Sequence, residues 1–343
     1  MSNYNNVSDN TELLTNILIS APQNLIVQDA LTKAYSVFKS HKHILVSVSG
    51  GSDSDIIVDI ASKLDPEHKK VDYCFFDTGL ESSASKEHLL YLEKRYGIYI
   101  NRVRPKKPIP VIAKEEHPFL SKYCSEMIHR LQYNNFDFRN GNRTYEELIK
   151  EYPNCQSALA WWCNLRYSPA LRIDGRKYLK EFLISNPPTF KISSACCHEA
   201  KIKTSETFIK NGGYDLSVIG TRKAEGGIRS ASTNCFVPAG KTRAYDVYKP
   251  IFWFSSKDKK EYEEHFCIEH SAAYTKYDLT RTGCCACPFS SDFEQELETM
   301  RRYEPMLTSA SENIFKDSYA YTKAYFDFRD DMVRLSKQFQ TAA

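Results

Sequence analysis

The stretch HILVSVSGGSDSDIIVDIASKLD, residues 43–65, determines the fold that we expect for this chain. It reads as a short apolar strand, a turn of two glycines framed by serines, and a helix with Asp and Ser at its start. Two more strands are predicted in KVDYCFFDTG and IYINRVRP, and the helical pattern ASKEHLLYLEKRYG separates them. Strand alternating with helix is typical of a parallel sheet, so we predict an α/β fold with helices on both faces of a parallel sheet.

The rest of the chain extends this pattern. YDLSVIGTR, residues 214–222, reads as a returning strand, and SKDKKEYEEHFCIEH reads as a helix opened by a serine cap. We predict an N-terminal arm at 1–24 and a nucleotide-binding α/β domain at 25–255, which carries an insertion at about 105–195. A C-terminal helical part, 256–343, would complete the chain.

Composition and charge limit the classes of protein to consider. Apolar residues make up 42% and charged residues 26% of the 343 residues, which is ordinary for a globular protein. No apolar run approaches the roughly 20 residues that span a bilayer, and the first residues lack the pattern of a signal peptide. We therefore expect a cytoplasmic protein with no membrane partner. The net charge of +3 does not demand a nucleic-acid partner, although RVRPKK, KIK and KDKK form local basic clusters.

The glycine pair lies where a parallel sheet binds its ligands, at the carboxyl end of the first strand. Glycines let the backbone approach a ligand closely, and the start of the following helix attracts an anion. The hydroxyls of Ser49, Ser52 and Ser54 add hydrogen-bond donors. These features favour a phosphate or pyrophosphate site; the simpler alternative is a tight polar turn. The Walker pattern is excluded, because no Gly-Lys-Ser/Thr ends the loop.

The turn resembles the SGGxDS loop of the PP-loop ATP pyrophosphatases, the adenine nucleotide alpha hydrolases. Ser49, Gly50, Gly51, Asp53 and Ser54 match that loop residue for residue. The resemblance implies that the loop, with Ser52, holds the β- and γ-phosphates of ATP together with Mg²⁺. A substrate oxygen then attacks the α-phosphate, pyrophosphate leaves, and the substrate becomes adenylated.

Two more segments resemble one branch of these enzymes, the phosphoadenylyl-sulfate (PAPS) reductase-like family. FFDTGLE, residues 75–81, is similar to the DTGLE segment of the family, and GTRKAEGGIR, residues 220–229, is similar to its arginine segment. The resemblance implies that nucleotide is bound by Asp77, Thr78, Gly79, Glu81, Gly220, Arg222, Glu225 and Arg229. It implies catalytic roles for Ser49, Asp53, Arg222 and Arg229. Gly226 stands where the family usually has serine.

The eleven cysteines include two clusters, ACCHEAK around residue 196 and GCCACP around residue 285. A cysteine pair and a CxxC turn together supply four thiolates, which suit zinc or a cubane iron–sulfur cluster; reduced core cysteines are the third alternative. The order resembles the cluster-binding adenylyl-sulfate reductases. That resemblance implies a [4Fe-4S] cluster on Cys196, Cys197, Cys284 and Cys287, with Cys285 spare. Cys163, which follows two tryptophans, is a rival ligand or sulfur carrier.

The reductases of this family use a cysteine on a C-terminal tail, and this chain has no cysteine after Cys287. The chain is therefore more similar to the DNA phosphorothioation proteins of the Dnd and Ssp types. That resemblance implies an ATP pyrophosphatase that adenylates DNA or another nucleic acid for sulfur insertion. Its partners would be a cysteine desulfurase as sulfur donor and other phosphorothioation components. The alternatives are a sulfonucleotide reductase that uses Cys235 or Cys163, a tRNA-thiolating enzyme, and a non-enzymatic nucleotide sensor.

Overall fold

The structure is a computed structural model, and it describes residues 5–226, 229 and 232–342. The strands are β1 Ile44–Ser47, β2 Val71–Phe76, β3 Ile100–Val103, β4 Leu216–Ile219, β5 Phe236–Val237 and β6 Asp246–Tyr248. The α-helices are α1 Asn5–Ile19, α2 Leu25–Ser40, α3 Ser52–Leu64, α4 Ser83–Tyr96, α5 Ile109–Ile112, α6 Lys122–Tyr133, α7 Tyr145–Glu151, α8 Gln156–Trp162, α9 Leu179–Ser185, α10 Ala195–Cys197, α11 Thr204–Gly212, α12 Ser256–His265, α13 Ala272–Thr275, α14 Phe293–Tyr303, α15 Pro305–Ile314 and α16 Lys316–Ala342.

The chain divides into two compact units. The first comprises the described residues up to Pro105 together with Ile202–Cys284, and it contains the whole sheet. The second comprises Lys106–Lys201 together with the described residues from Cys285 onward. The predicted insertion at about 105–195 therefore falls within the second unit, together with α14, α15 and α16.

The sheet of the first unit has six strands in the order β3-β2-β1-β4-β6-β5. Strands β1, β2, β3, β4 and β6 run parallel, with Ile44 of β1 in register with Val71 of β2 and Leu216 of β4. This confirms the predicted parallel sheet. The short β5 pairs antiparallel to β6, an edge arrangement that was not predicted.

Both faces of the sheet are covered, and the residues of β1 show how. Ile44 and Val46 point into the large core, which holds the apolar faces of α2, α3 and α4. Leu45 points to the opposite face, where it packs in a smaller cluster with Ile209 of α11. Alternate residues of a strand face opposite sides of its sheet, so this division is the expected result of a two-sided core.

The strand order reverses at β1, because β2 and β3 lie on one side of it while β4 and β6 lie on the other. Connections that leave in opposite directions open a crevice beyond the carboxyl ends of the central strands. The glycine turn follows β1, the DTGLE segment follows β2, and the arginine segment follows β4. All three predicted nucleotide-binding segments therefore lie at the same edge of the sheet, on neighbouring strands.

The second unit is helical among its described residues. Its core contains Trp161 and Trp162 of α8, Phe182 of α9 and Tyr325 of α16, all nearly inaccessible to solvent. The prediction of a helical C-terminal part is confirmed by α14, α15 and α16. In the part of the chain that the structure describes, no helix combines the length and the apolar character needed to cross a membrane.

Candidate active site

The turn after β1 needs both of its glycines. Gly50 adopts φ +67°, a left-handed conformation that side chains disfavour, and a Cβ there would lie 3.2 Å from the carbonyl oxygen of Ser85. Gly51 is the N-cap of α3, and a Cβ there would lie 2.7 Å from Oγ1 of Thr282. The backbone is therefore packed so closely against the start of α4 and against Thr282 that a side chain at either glycine would displace a neighbouring group.

Hydroxyl groups hold the shape of this turn. The Ser54 hydroxyl is buried and donates to the carbonyl oxygen of Gly51 at 2.7 Å, while the Gly51 amide donates to Oγ of Ser49 at 3.3 Å. The Ser52 amide donates to the Tyr274 hydroxyl at 3.2 Å. Ser54, which the sequence suggested as a phosphate donor, therefore uses its hydroxyl in this structure to stabilise the loop.

Asp53, at the start of α3, forms ion pairs with two cationic side chains. Nε of Arg222 lies 2.9 Å from both carboxylate oxygens, and Nζ of Lys259 lies 2.8 Å from Oδ1. Only 12–15% of each of the three side chains is exposed. Nη1 of Arg222 is buried and has no hydrogen-bond partner. An N–H without a partner beside a second cation, at the positive end of a helix, creates a site that favours an anion.

The loop after β4 approaches the same turn. A Cβ on Gly220 would lie 3.2 Å from the backbone carbonyl of Asp53 and 3.2 Å from the amide nitrogen of Ser54. The two predicted segments are thus in direct contact, and a glycine is required where they meet. This contact directs Arg222, two residues later, onto the Asp53 carboxylate.

Lys259 was missed as a site residue, because KDKK was interpreted as a basic surface cluster. In the structure α12 begins with a capping box of Ser255 and Asp258, so the cap lies one residue before the predicted serine, Ser256, which is the first residue of the helix. Lys259, Tyr262 and Glu263 follow at a spacing of three and four residues, which places them on one face of the helix. That face is buried: Tyr262 is inaccessible to solvent, and Lys259 lies 3.5 Å from Glu263. This spacing is the signal that could have identified Lys259.

A buried cluster of acids and histidines lies behind the turn. Asp55 is fully buried, and its Oδ2 lies 2.8 Å from Nδ1 of His270, whose Nε2 lies 3.0 Å from Glu263. Nε2 of His88 lies 3.0 Å from the other Asp55 oxygen, without hydrogen-bond geometry. Burial alone lowers the pKa of His270, but hydrogen bonds and charges from Asp55 and Glu263 outweigh it and raise the pKa to about 9. His270 is therefore a cation at neutral pH, and it positions the Glu263 that contacts Lys259.

The DTGLE segment forms its own compact turn after β2. The amide and hydroxyl of Thr78 donate to the two carboxylate oxygens of Glu81 at 3.0 and 2.8 Å. The Gly79 amide donates to Asp77 at 2.9 Å, and Nζ of Lys86 lies 3.7 Å from the same carboxylate. Glu81 is buried and shapes the turn, whereas Asp77 carries the charge that faces neighbouring cations.

The arginine segment separates its two arginines. Arg222 contacts Asp53 through its side chain, while its amide donates to Glu225 at 3.0 Å. Arg229 pairs with Glu225 at 3.0 Å, and about half of its side chain is exposed (53%). Arg222 therefore joins the turn directly. Arg229 is positioned through Glu225, on the solvent side of the segment.

The cysteine pair lies in the second unit, where Cys196 and Cys197 form the buried end of α10. A hydrogen bond from Cys196 lowers the pKa of Cys197 to about 6, against the opposing effect of burial, and the positive charges of Lys122 and Lys201 lower it further. The thiolate is the form that binds metals and iron–sulfur clusters. The donor chemistry of this pair therefore fits a soft metal or a cluster.

The downstream cysteines differ from one another. Cys284 forms a β-bridge with Glu81 in the first unit, and its Sγ lies 3.5 Å from the Thr78 hydroxyl. Cys285 is buried in the second unit, and burial raises its pKa to about 11, although hydroxyls of Ser311 and Thr308 lie against it. All eleven cysteines lie in the described ranges, and none forms a disulfide.

The four predicted cluster ligands remain a prediction. Within residues 5–226, 229 and 232–342, no three His, Cys, Asp or Glu side chains are gathered in a way that could hold a metal ion. Cys196 and Cys197 provide two thiols side by side at the end of α10.

Comparison with known proteins gives weak similarities. No protein-family model and no curated protein matches the chain. Among solved structures it is similar to phosphoadenylyl-sulfate reductase from Candida auris, at 13% identity and a TM-score of 0.40 over 77% of this chain and 96% of that one. It is similar to FMN adenylyltransferase from Candida glabrata, at 11% identity and a TM-score of 0.42 over 85% and 82% of the two chains. It is also similar to the U34-tRNA thiolase NcsA from Methanococcus maripaludis, at 11% identity and a TM-score of 0.39 over 90% and 81%. At these values the similarities do not decide what the chain does.

Proposed function

We propose that this chain is an ATP pyrophosphatase, which cleaves ATP to AMP and pyrophosphate in order to activate a second substrate. The observation that carries the proposal is the pairing of Asp53 with Arg222 and Lys259 at the start of α3. The paired cations lie at the end of a glycine turn, on the ligand-binding edge of a parallel sheet. Phosphate groups are the ligands that this combination of backbone amides, helix terminus and cations favours.

In the proposed reaction an oxygen of the substrate attacks the α-phosphorus of ATP. The bond from that phosphorus to the bridging oxygen breaks, and pyrophosphate leaves with the electron pair. Arg222 has an unpartnered N–H to donate to the departing phosphates, and Lys259 supplies a second charge. Ser49, Gly51 and Asp53 would hold pyrophosphate or Mg²⁺; bound Mg²⁺ would offset phosphate charge. The AMP group remains on the substrate oxygen, where a sulfur nucleophile can later displace it.

The finer proposal is that the activated substrate is the DNA backbone, which then receives sulfur as a phosphorothioate. It is supported by the sequence resemblance to phosphorothioation proteins, which also implies a cysteine desulfurase and further components as partners. We further propose that Cys196, Cys197, Cys284 and Cys287 hold a [4Fe-4S] cluster. The lowered pKa of Cys197 supports the first two of these ligands.

Product analysis tests the pyrophosphatase. Purified protein is incubated with Mg²⁺, ATP labelled at the α-phosphate and single-stranded or duplex DNA, and the nucleotides are separated. We expect the label as AMP bound to the DNA, or as free AMP where water hydrolyses that bond, and an equal amount of released pyrophosphate measured by a coupled assay. We expect no turnover from Asp53→Asn. The control Asp29→Asn removes an exposed carboxylate that pairs with Lys33, so it should leave turnover unchanged. ADP and phosphate as products would contradict the proposal.

The DNA substrate is tested separately in the organism. We expect deletion of the gene to abolish phosphorothioate in DNA digests analysed by mass spectrometry, while sulfate assimilation continues. A deletion strain that requires added sulfite or cysteine, with its DNA sulfur unchanged, would support sulfonucleotide reduction instead. Loss of thiolated nucleosides from tRNA would support tRNA thiolation.

A further inference from the structure

The segment from Asn164 to Lys180 in the second unit combines a basic charge with two large exposed side chains. It carries five Lys or Arg residues against one acidic residue, Asp174. Tyr167 is 99% exposed, and Leu165 is also exposed. Both follow directly after the buried Trp161 and Trp162, so the chain leaves the core and immediately presents two large side chains to solvent.

This turn is held in place by its own arginines. The guanidinium of Arg172 donates to the backbone carbonyls of Arg166 and Tyr167, at 2.5 and 3.3 Å. Arg166 in turn donates to the carbonyl of Ser157 at 3.0 Å. Asn164 adopts φ +59° and accepts the Asp174 amide at 3.2 Å, which closes the turn. Tyr167 is therefore presented by an ordered network of hydrogen bonds.

The positive charges of Arg166 and Arg172 are not neutralised by the groups that accept their hydrogen bonds. Backbone carbonyls accept from Arg166 and Arg172, but no carboxylate forms an ion pair with either in the described structure. Elsewhere the predicted basic clusters are at least partly neutralised: Arg102 of RVRPKK pairs with Glu93, and Lys259 of KDKK pairs with Asp53. The Tyr167 turn, which the sequence analysis did not select, is thus a better candidate for binding a polyanion.

We propose that the Tyr167 turn binds single-stranded nucleic acid, with an unpaired base stacked on the Tyr167 ring and the backbone phosphates held by the surrounding cations. An exposed aromatic ring beside arginines is the arrangement that single-strand-binding proteins use, because every base offers a face for stacking. This inference rests on the proposed function in one respect: it assumes that the substrate is a nucleic acid.

The test measures binding without ATP, so that it is independent of the pyrophosphatase. The full-length protein is titrated into a fluorescein-labelled 20-nucleotide DNA strand at several salt concentrations, and anisotropy reports the Kd. We expect Tyr167→Ala to weaken binding about tenfold and Tyr167→Phe, which keeps the ring, to bind within about twofold of the wild type. Tyr133→Ala, at an 81% exposed tyrosine on α6 of the same unit, is the matched control and should change nothing.

The charge of the turn is tested by salt dependence. Lys177 is exposed beside Tyr178, and replacing it by Gln should lower the slope of log Kd against log salt by about 0.7, the value for one phosphate contact on a single strand. Equal binding by Tyr167→Ala and wild type, or no binding of the strand by wild type, would overturn the inference. AMP formation measured on the same preparation would show whether the pyrophosphatase proposal survives that result.

Discussion

Replacing Lys259 by methionine is the most direct test of the proposed phosphate site. Methionine keeps most of the length and the apolar stem of the side chain but removes the charge that lies 2.8 Å from Asp53. Because Lys259 is largely buried, solvent screens its charge only weakly. The expected effects on catalysis and on stability are measured by separate assays.

The catalytic effect follows from the loss of one of two cations. At an effective dielectric constant of about 20, two unit charges about 4 Å apart interact by about 4 kcal/mol. In the proposed reaction pyrophosphate gains negative charge as it departs, so a cation beside it would stabilise the transition state more than the ground state. A loss of about 3–4 kcal/mol corresponds to a fall of about 10²- to 10³-fold in kcat/KM. Lys259→Arg keeps the charge and should retain more activity than Lys259→Met.

The effect on folding should be smaller. Asp53 keeps Arg222 as a partner, so the carboxylate is not left buried without a counter-charge. We expect the free energy of unfolding to fall by about 1–2 kcal/mol, below the 3–5 kcal/mol typical of a fully broken buried pair. Urea denaturation measures this change, and pyrophosphate release at saturating and limiting ATP measures kcat and KM.

A matched control lies one residue away. Lys260 is on the same helix but is exposed, and it pairs with Glu264 at 3.6 Å. Lys260→Met should therefore retain wild-type turnover and stability. If Lys259→Met folds and retains the wild-type kcat/KM, the reasoning that Asp53 positions this lysine to bind phosphate is refuted. Equal losses in both variants would refute it as well.

Three further predictions concern other parts of the chain. Because the pKa of His270 is raised to about 9, its protonated ring stabilises the folded protein fully below pH about 6.5, and this contribution is lost as pH rises through 9. Urea denaturation at a series of pH values should show the free energy of unfolding fall by about 3 kcal/mol over this range in the wild type but not in His270→Gln. Gly51→Ala, whose Cβ would clash, should cost about 1–3 kcal/mol and most of the ATP turnover, whereas Gly240→Ala, which faces open space, should be neutral in the same two assays. After anaerobic purification, iron analysis should find about four irons per chain in wild type and Cys285→Ser but fewer in Cys197→Ser; zinc without iron in wild type would argue against a cluster.

The sequence by itself determined the parallel core of the first unit and the place of the ligand-binding edge. Apolar runs bounded by turn residues identify β1 and β2, and Gly50-Gly51 identifies the turn between β1 and α3, because these signals are local. The same reasoning predicted a helix at α12 and helices in the C-terminal part.

Only the tertiary structure decided which charged side chains meet at that edge. Lys259 is 206 residues from Asp53 in the chain, and its neighbours in KDKK are indistinguishable from it in composition. The cluster of Asp55, His270 and Glu263 likewise joins residues from distant segments. A local pattern gives the face on which a residue lies, but not the element that packs against that face. Burial of a charge costs free energy unless a partner is present, and that partner is fixed only when the helices pack on the sheet.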